Sequence, residues 1–136
     1  MAIISILALA ILPLSKISVK RAKGLELREN LRIIREAIDE YKEYVDEGKI
    51  QKDAADSGYP KTLEILVQGV DLKEAVLEKK KFLRRIPRDP ITDDGEWGLR
   101  SYFDEPDSEI WGGEDVYDVY SKSEGVGIDR TKYNTW

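Results

Sequence analysis

Leu27-Arg28-Glu29-Asn30-Leu31-Arg32-Ile33-Ile34-Arg35-Glu36-Ala37-Ile38-Asp39-Glu40-Tyr41-Lys42-Glu43-Tyr44-Val45 is the stretch on which the fold turns. Leu27, Leu31, Ile34, Ile38, Tyr41 and Val45 recur at alternating spacings of 4 and 3, which draws one apolar stripe along an α-helix. Ile33, Ala37 and Tyr44 widen it. The opposite face carries Arg28, Arg32, Arg35, Glu36, Asp39, Glu40 and Glu43. The Arg35–Asp39 and Lys42–Asp46 spacings predict ion pairs within the helix, worth about 0.3 kcal/mol each. Such a stripe needs a flat apolar partner, and a sheet of the same domain supplies one. A coiled coil is the alternative, but the pattern stops after about three heptads, near Gly48.

Upstream, the helix-forming pattern reaches back without a turn signal into Met1-Ala2-Ile3-Ile4-Ser5-Ile6-Leu7-Ala8-Leu9-Ala10-Ile11-Leu12-Pro13-Leu14. This apolar run of about 14 residues would be ~21 Å long as a helix, short of the about 20 residues that span a bilayer. Three readings are open: a signal peptide, a buried core helix, or part of a longer membrane helix. No basic segment precedes the run, as a signal peptide requires. Pro13 would bend a soluble core helix and remove a hydrogen bond, whereas membrane helices tolerate proline. Lys16, Lys20, Arg21 and Lys23 follow directly and mark a membrane-surface boundary. By the positive-inside rule they would favour a cytoplasmic C-terminal domain.

Downstream, Lys49 to Lys61 is a loop. Thr62 is positioned to cap a short helix over Leu63–Gln68, closed by Gly69, and a second short helix is expected over Leu72–Lys79. Pro87 and Pro90 keep the stretch from Phe82 to Pro90 extended or turned. Asp93-Asp94-Gly95 is a turn. Trp97–Phe103 and Val116–Ser121 read as strands by their alternation. Tyr133 and Trp136 are aromatic anchors for the tail.

The chain has neither cysteine nor histidine. That excludes disulfides and thiolate sites, and removes the commonest general base and transition-metal ligand. An enzyme would have to rely on a carboxylate pair such as Asp104 and Asp107, which no spacing supports. Residues 1–88 carry 18 Lys and Arg against 14 Asp and Glu, while residues 89–136 carry 4 against 13. The acidic C-terminal third argues against nucleic acid and suits calcium, basic partners or solubility.

The apolar run with Pro13, the amphipathic helix, Tyr59-Pro60-Lys61-Thr62-Leu63-Glu64-Ile65-Leu66, Arg84-Arg85-Ile86-Pro87-Arg88-Asp89-Pro90, Gly95-Glu96-Trp97-Gly98 and Tyr117-Asp118-Val119-Tyr120-Ser121-Lys122-Ser123 follow one another in that order. Together they resemble the major, G-type pseudopilin of type II secretion, within the type IV pilin superfamily. The resemblance spans nearly the whole chain, and the arginine–proline and aspartate–valine–tyrosine runs are its specific parts. It implies a pilin-like α+β fold: a long N-terminal helix, membrane-embedded in its first half and amphipathic in its second, packed on a small antiparallel β-sheet. Residues 1–22 would form the membrane and filament-core segment and residues 23–136 the periplasmic globular domain. It departs from the family before Leu9, where the basic leader, the cleavage-site glycine and the mature-end glutamate are missing. Counting back from Pro13, Met1 falls inside the family's helix, so further residues are expected upstream. About nine or ten more would complete a span.

The resemblance further implies a single-pass inner-membrane protein with its globular domain in the periplasm. A basic leader would supply the inside charge that the visible topology lacks. The implied function is not enzymatic: the chain would polymerise with itself into the pseudopilus that drives export of folded proteins. Its partners would be minor pseudopilins, the inner-membrane assembly platform and, for a precursor, the prepilin peptidase. Ala2, Ala8, Ala10 and Pro13 would mediate helix packing in the filament core, and Arg28, Arg32, Glu36 and Glu40 are candidates for pairs between subunits. The family's Ca²⁺ would fall in the loop from Ser121 to Lys132, with Glu124 and Asp129 as side-chain ligands and Ser121 as a backbone ligand. The alternatives are a subunit of a related type IV pilus-like fibre, or a membrane-tethered periplasmic binding or adaptor domain.

Overall fold

The computed structural model describes residues 2–136, with side chains described for 15–75 and 78–136. The fold is α+β: one long helix packed on two small antiparallel sheets of two strands each.

Helix α1 runs over Ala2–Asp46, 45 residues, or about 68 Å at 1.5 Å per residue. The six stripe residues from Leu27 to Val45 are all buried, as is Ala37. Between Ser15 and Lys23 every residue is exposed. Among the described side chains of α1, burial therefore begins at Gly24. Its C-terminus closes in a Schellman arrangement: the Gly48 N–H reaches the Val45 carbonyl at 3.0 Å and the Lys49 N–H the Tyr44 carbonyl at 2.9 Å. Gly48 sits at φ +78°, a conformation that costs a residue with a Cβ. The Lys49 ammonium covers the Tyr44 ring at 4.8 Å.

Helix α2, Glu64–Gln68, begins where the Thr62 hydroxyl accepts the Ile65 N–H at 3.4 Å, and it ends at Gly69, φ +90°. The chain then enters an antiparallel hairpin, β1 (Val70–Leu72) with β2 (Ala75–Lys80). This corrects the expected second helix over Leu72–Lys79. Glu74, Leu77, Glu78 and Lys79 are good helix formers, but tertiary context overrides that weak preference. Val70 and Leu72 pack against the core, and Asp71 faces Lys79 across the ladder, a favourable cross-strand pairing of charge.

Strand β3, Trp97–Arg100, pairs with β4, Asp118–Ser121, in the register Trp97↔Ser121 to Arg100↔Asp118. Both are shorter than the alternation suggests. Beyond Arg100 the backbone donors turn to carboxylates instead of a partner strand: the Ser101 N–H to Asp104 Oδ2 at 2.8 Å and the Tyr102 N–H to Asp115 Oδ1 at 2.9 Å. The core lies between α1 and these elements, with Leu63, Leu66, Trp97, Val116, Val119 and Tyr133 against the stripe. The proline run stays irregular and is held to α1 and β3. Asn30 Nδ2 donates to the Arg88 carbonyl at 2.9 Å, and Trp97 Nε1 to the Pro87 carbonyl at 2.7 Å. A 3-10 turn over Tyr133–Thr135 ends the chain. No helix among the described residues is long and apolar enough to cross a membrane.

Candidate assembly surface

The residues singled out for assembly fall into two groups. Ala2, Ala8, Ala10 and Pro13 lie outside the residues whose side chains are described. Arg28, Arg32, Glu36 and Glu40 are on the outer side of α1, and each has a partner in its own chain. Arg32 bridges Glu29 and Glu36, the latter at 2.9 Å. Glu40 meets Lys80 of β2 at 3.4 Å. Arg28 reaches Asp129 at 3.1 Å and lies over the Trp136 ring at 3.7 Å. A contact between subunits through these four must first exchange exposed internal pairs, each worth about 0–1 kcal/mol.

Arg35 corrects the helix-surface expectation. Its partner is not Asp39 but Asp118 of β4, at 2.7 Å, and the same guanidinium donates to the Val119 carbonyl at 3.0 Å and the Trp136 backbone oxygen at 2.8 Å. A planar fork with several donors suits this triple role. It ties helix, sheet and tail together. Sequence spacing missed it because the acceptors lie 83 to 101 positions away. The Lys42–Asp46 pair forms as spaced.

In the tail loop, the Asp129 carboxylate expected to hold Ca²⁺ has partners of its own. Asp129 Oδ1 accepts the Thr131 N–H at 3.0 Å and the Thr131 hydroxyl at 2.6 Å, while Oδ2 faces Arg28. The Thr131 hydroxyl, followed by its N–H, holds the Asp129 carboxyl below its ordinary value, with Arg28 adding to the effect. Ser121 is buried opposite Trp97 in the ladder. Glu124 is exposed and makes no hydrogen bond or ion pair among the described residues. Nor do three or more carboxylates gather there to hold a metal. Calcium takes six to eight oxygens, and Asp129, the carboxylate expected among them, pairs with Arg28 in this structure. Trp136 Nε1 donates to the Thr131 hydroxyl at 2.6 Å, and the Trp136 ring meets Tyr133 edge-on at 4.9 Å. The tail is thus held by arginine, threonine and aromatic contacts.

Sequence reasoning also missed the organisation of the loop between β3 and β4. Asp104 Oδ2 accepts the N–H groups of Ser101 and Gly112 at 2.8 and 2.9 Å and so joins the two ends of the loop. Those backbone donors hold its carboxyl below the ordinary value, Ser101 foremost. Buried Asp115 accepts the Ser57 hydroxyl at 2.6 Å, and its carbonyl accepts Trp111 Nε1 at 2.7 Å. Tyr59, Tyr102 and Tyr117 pack mutually at centroid distances of 4.9 to 5.7 Å. The two glycines at 112 and 113 and the aromatic residues were visible in the sequence. Their convergence with position 57 was not.

Comparison with known protein families, characterised proteins and solved structures returns no match.

Proposed function

We propose that the chain is a structural subunit that polymerises with itself into the periplasmic pseudopilus of a type II secretion system. The observation that carries this reading is the shape of α1. It is a continuous helix of 45 residues, and among its described side chains burial begins only at Gly24, the turns from Ser15 to Lys23 being exposed. The exposed turns of Ser15 to Lys23 leave helix surface that copies of the chain can cover. The sequence runs that resemble the G-type pseudopilins fall on the elements such a head requires: the proline run beside α1, Trp97 in β3, and Tyr117–Ser121 leading into and forming β4. In this reading the first half of α1 is embedded in the inner membrane before assembly and in the filament core afterwards. The head faces the periplasm, and minor pseudopilins, the assembly platform and the prepilin peptidase act on the chain. A related pilus-like fibre would use the same geometry.

The test is crosslinking through cysteines at Leu7 and Ile17 in cells that carry the assembly machinery. A ladder of homopolymers is expected. A chain that stays monomeric there is not a polymer subunit, and a tethered adaptor domain would give that result.

A further inference from the structure

Two exposed patches of opposite charge lie at different levels of α1, and both carry apolar side chains in water. The first is the loop between β3 and β4. Phe103 is 73% exposed and Ile110 81%, among the carboxylates Glu105, Asp107, Glu109 and Glu114. None of these four has an ion-pair partner among the described residues. The loop is braced by Asp104 and Asp115, and Arg100 Nε donates to the Ser108 carbonyl at 3.0 Å. The apolar tips are therefore held out by a fixed frame. A surface fixed in this way loses little freedom on docking.

The second patch is the exposed stretch of α1 from Lys16 to Lys23. Lys16, Lys20, Arg21 and Lys23 are exposed there without ion-pair partners among the described residues, beside Ile17 at 49% and Val19 at 54% exposure. Lys16, Val19, Lys20 and Lys23 form one wall of an open groove of about 560 Å³, with Ile91 and Val126 on its other side. The groove has the composition the loop lacks: cations around an apolar floor.

The two patches are far apart in one molecule. The aromatic base of the loop rests on Tyr59, which lies 5.5 Å below the Lys42 ammonium. The loop's carboxylates Asp107 and Glu109 line a pocket with Arg35, and Lys20 is 15 positions from Arg35 and 22 from Lys42, about 22 to 33 Å along a helix. A contact between patches at different levels is head-to-tail. Unlike a twofold contact, it propagates into an open filament wherever its rotation does not close a ring.

We propose that the loop from Ser101 to Asp115 of one copy docks in the lysine-lined groove of the next. Ile110 and Phe103 enter the apolar floor, with Glu105 and Glu109 against Lys16 and Lys20. This rests on the polymer reading above and names its contact. The occupant is a second copy because the complementary charge and the complementary apolar surface occur together on the same chain.

The experiment is oxidative crosslinking of the full chain carrying Val19→Cys and Ile110→Cys, in cells with the assembly machinery. The Leu7/Ile17 cysteine pair is run beside it. Each copy bears both halves of the contact, so the double variant gives a ladder and the single variants give nothing beyond dimers. Adding Lys16→Glu and Lys20→Glu lowers the yield about tenfold, and further adding Glu105→Lys and Glu109→Lys restores it, because complementary charge governs such encounters. A Leu7/Ile17 ladder without a Val19/Ile110 ladder overturns the docking and leaves the polymer standing. A Val19/Ile110 ladder indifferent to charge reversal also overturns it. So does a charge reversal that releases the chain from membranes while the ladder is unchanged, which assigns the lysines to lipid headgroups. Absence of both ladders removes the polymer reading and the docking with it.

Discussion

Replacing Arg35 tests whether one side chain joins the helix, the sheet and the tail. Arg35→Met keeps most of the apolar stem and removes the fork. The loss is one ion pair at 2.7 Å and two bonds to backbone carbonyls at 3.0 and 2.8 Å. Hydrogen bonds to a charged group contribute about 1.5–3 kcal/mol when buried. Here the side chains of Arg35 and Asp118 are 34% and 31% exposed, so water replaces part of what is lost, and the expected cost is about 2–4 kcal/mol. For a domain of roughly 110 residues that is ~8–16 °C in Tm. Arg35→Lys retains the charge but cannot make all three bonds, and should lose about half as much. The assay is urea and thermal unfolding of the segment from Lys23 onward, which holds every residue described as buried, followed by the fluorescence of buried Trp97. Asp118→Asn retains Oδ1, the acceptor of the Val119 N–H at 2.8 Å, so a double-mutant cycle isolates the charge. A coupling near 1 kcal/mol is expected. Arg35→Met within about 0.5 kcal/mol of the parent would refute the reasoning, because the three contacts would then be crossed by water without consequence.

Gly98→Ala should cost about 2–3 kcal/mol by overpacking, since its Cβ would lie 2.2 Å from the Tyr120 ring; Gly48→Ala, with open space but φ +78°, should cost only about 1 kcal/mol. Equal losses in urea unfolding would mean that the β3–β4 approach is looser than it looks. Acid should destabilise the head. Asp129, Asp104 and Asp94 are held below the ordinary value of 3.8 by Thr131, by the Ser101 N–H and by the Glu96 N–H respectively. A depressed carboxyl adds stability that is complete above its unfolded value and lost as pH falls through the folded one. Tm should therefore hold from pH 7 to about 5 and drop below about 4, and a Tm at pH 2 equal to that at pH 7 would contradict this. Calcium or a chelator should leave Tm unchanged while Arg28 pairs with Asp129; a rise with calcium would show that the loop rebuilds itself around the ion.

The parts of this fold that local rules determine were open to reading, and the parts that distant contacts determine were not. The stripe from Leu27 to Val45 is a property of helical spacing, and every one of its six residues is buried. Gly69 and Gly95 mark turns by conformation alone. The hairpin of β1 and β2 has the composition of a helix and becomes a strand pair because Val70 and Leu72 find the core. The short reach of β3 follows from Asp104 and Asp115 capturing its next two donors, and nothing within β3 announces that.

The same division governs the candidate site. Charges on the outer face of α1 were counted from a helical wheel, as if each stood alone. In the fold, Arg28, Arg32, Glu36 and Glu40 are drawn into internal pairs, two of them with groups far along the chain. The charges left without ion-pair partners among the described residues include those where spacing offers no internal solution: the exposed turns of Lys16 to Lys23 and the loop around Ile110. An assembly subunit has to satisfy its head internally while leaving something unsatisfied for its neighbours. On the polymer reading, the residue-level sign of that incompleteness is opposite charge beside exposed aliphatic and aromatic side chains at two levels of one helix.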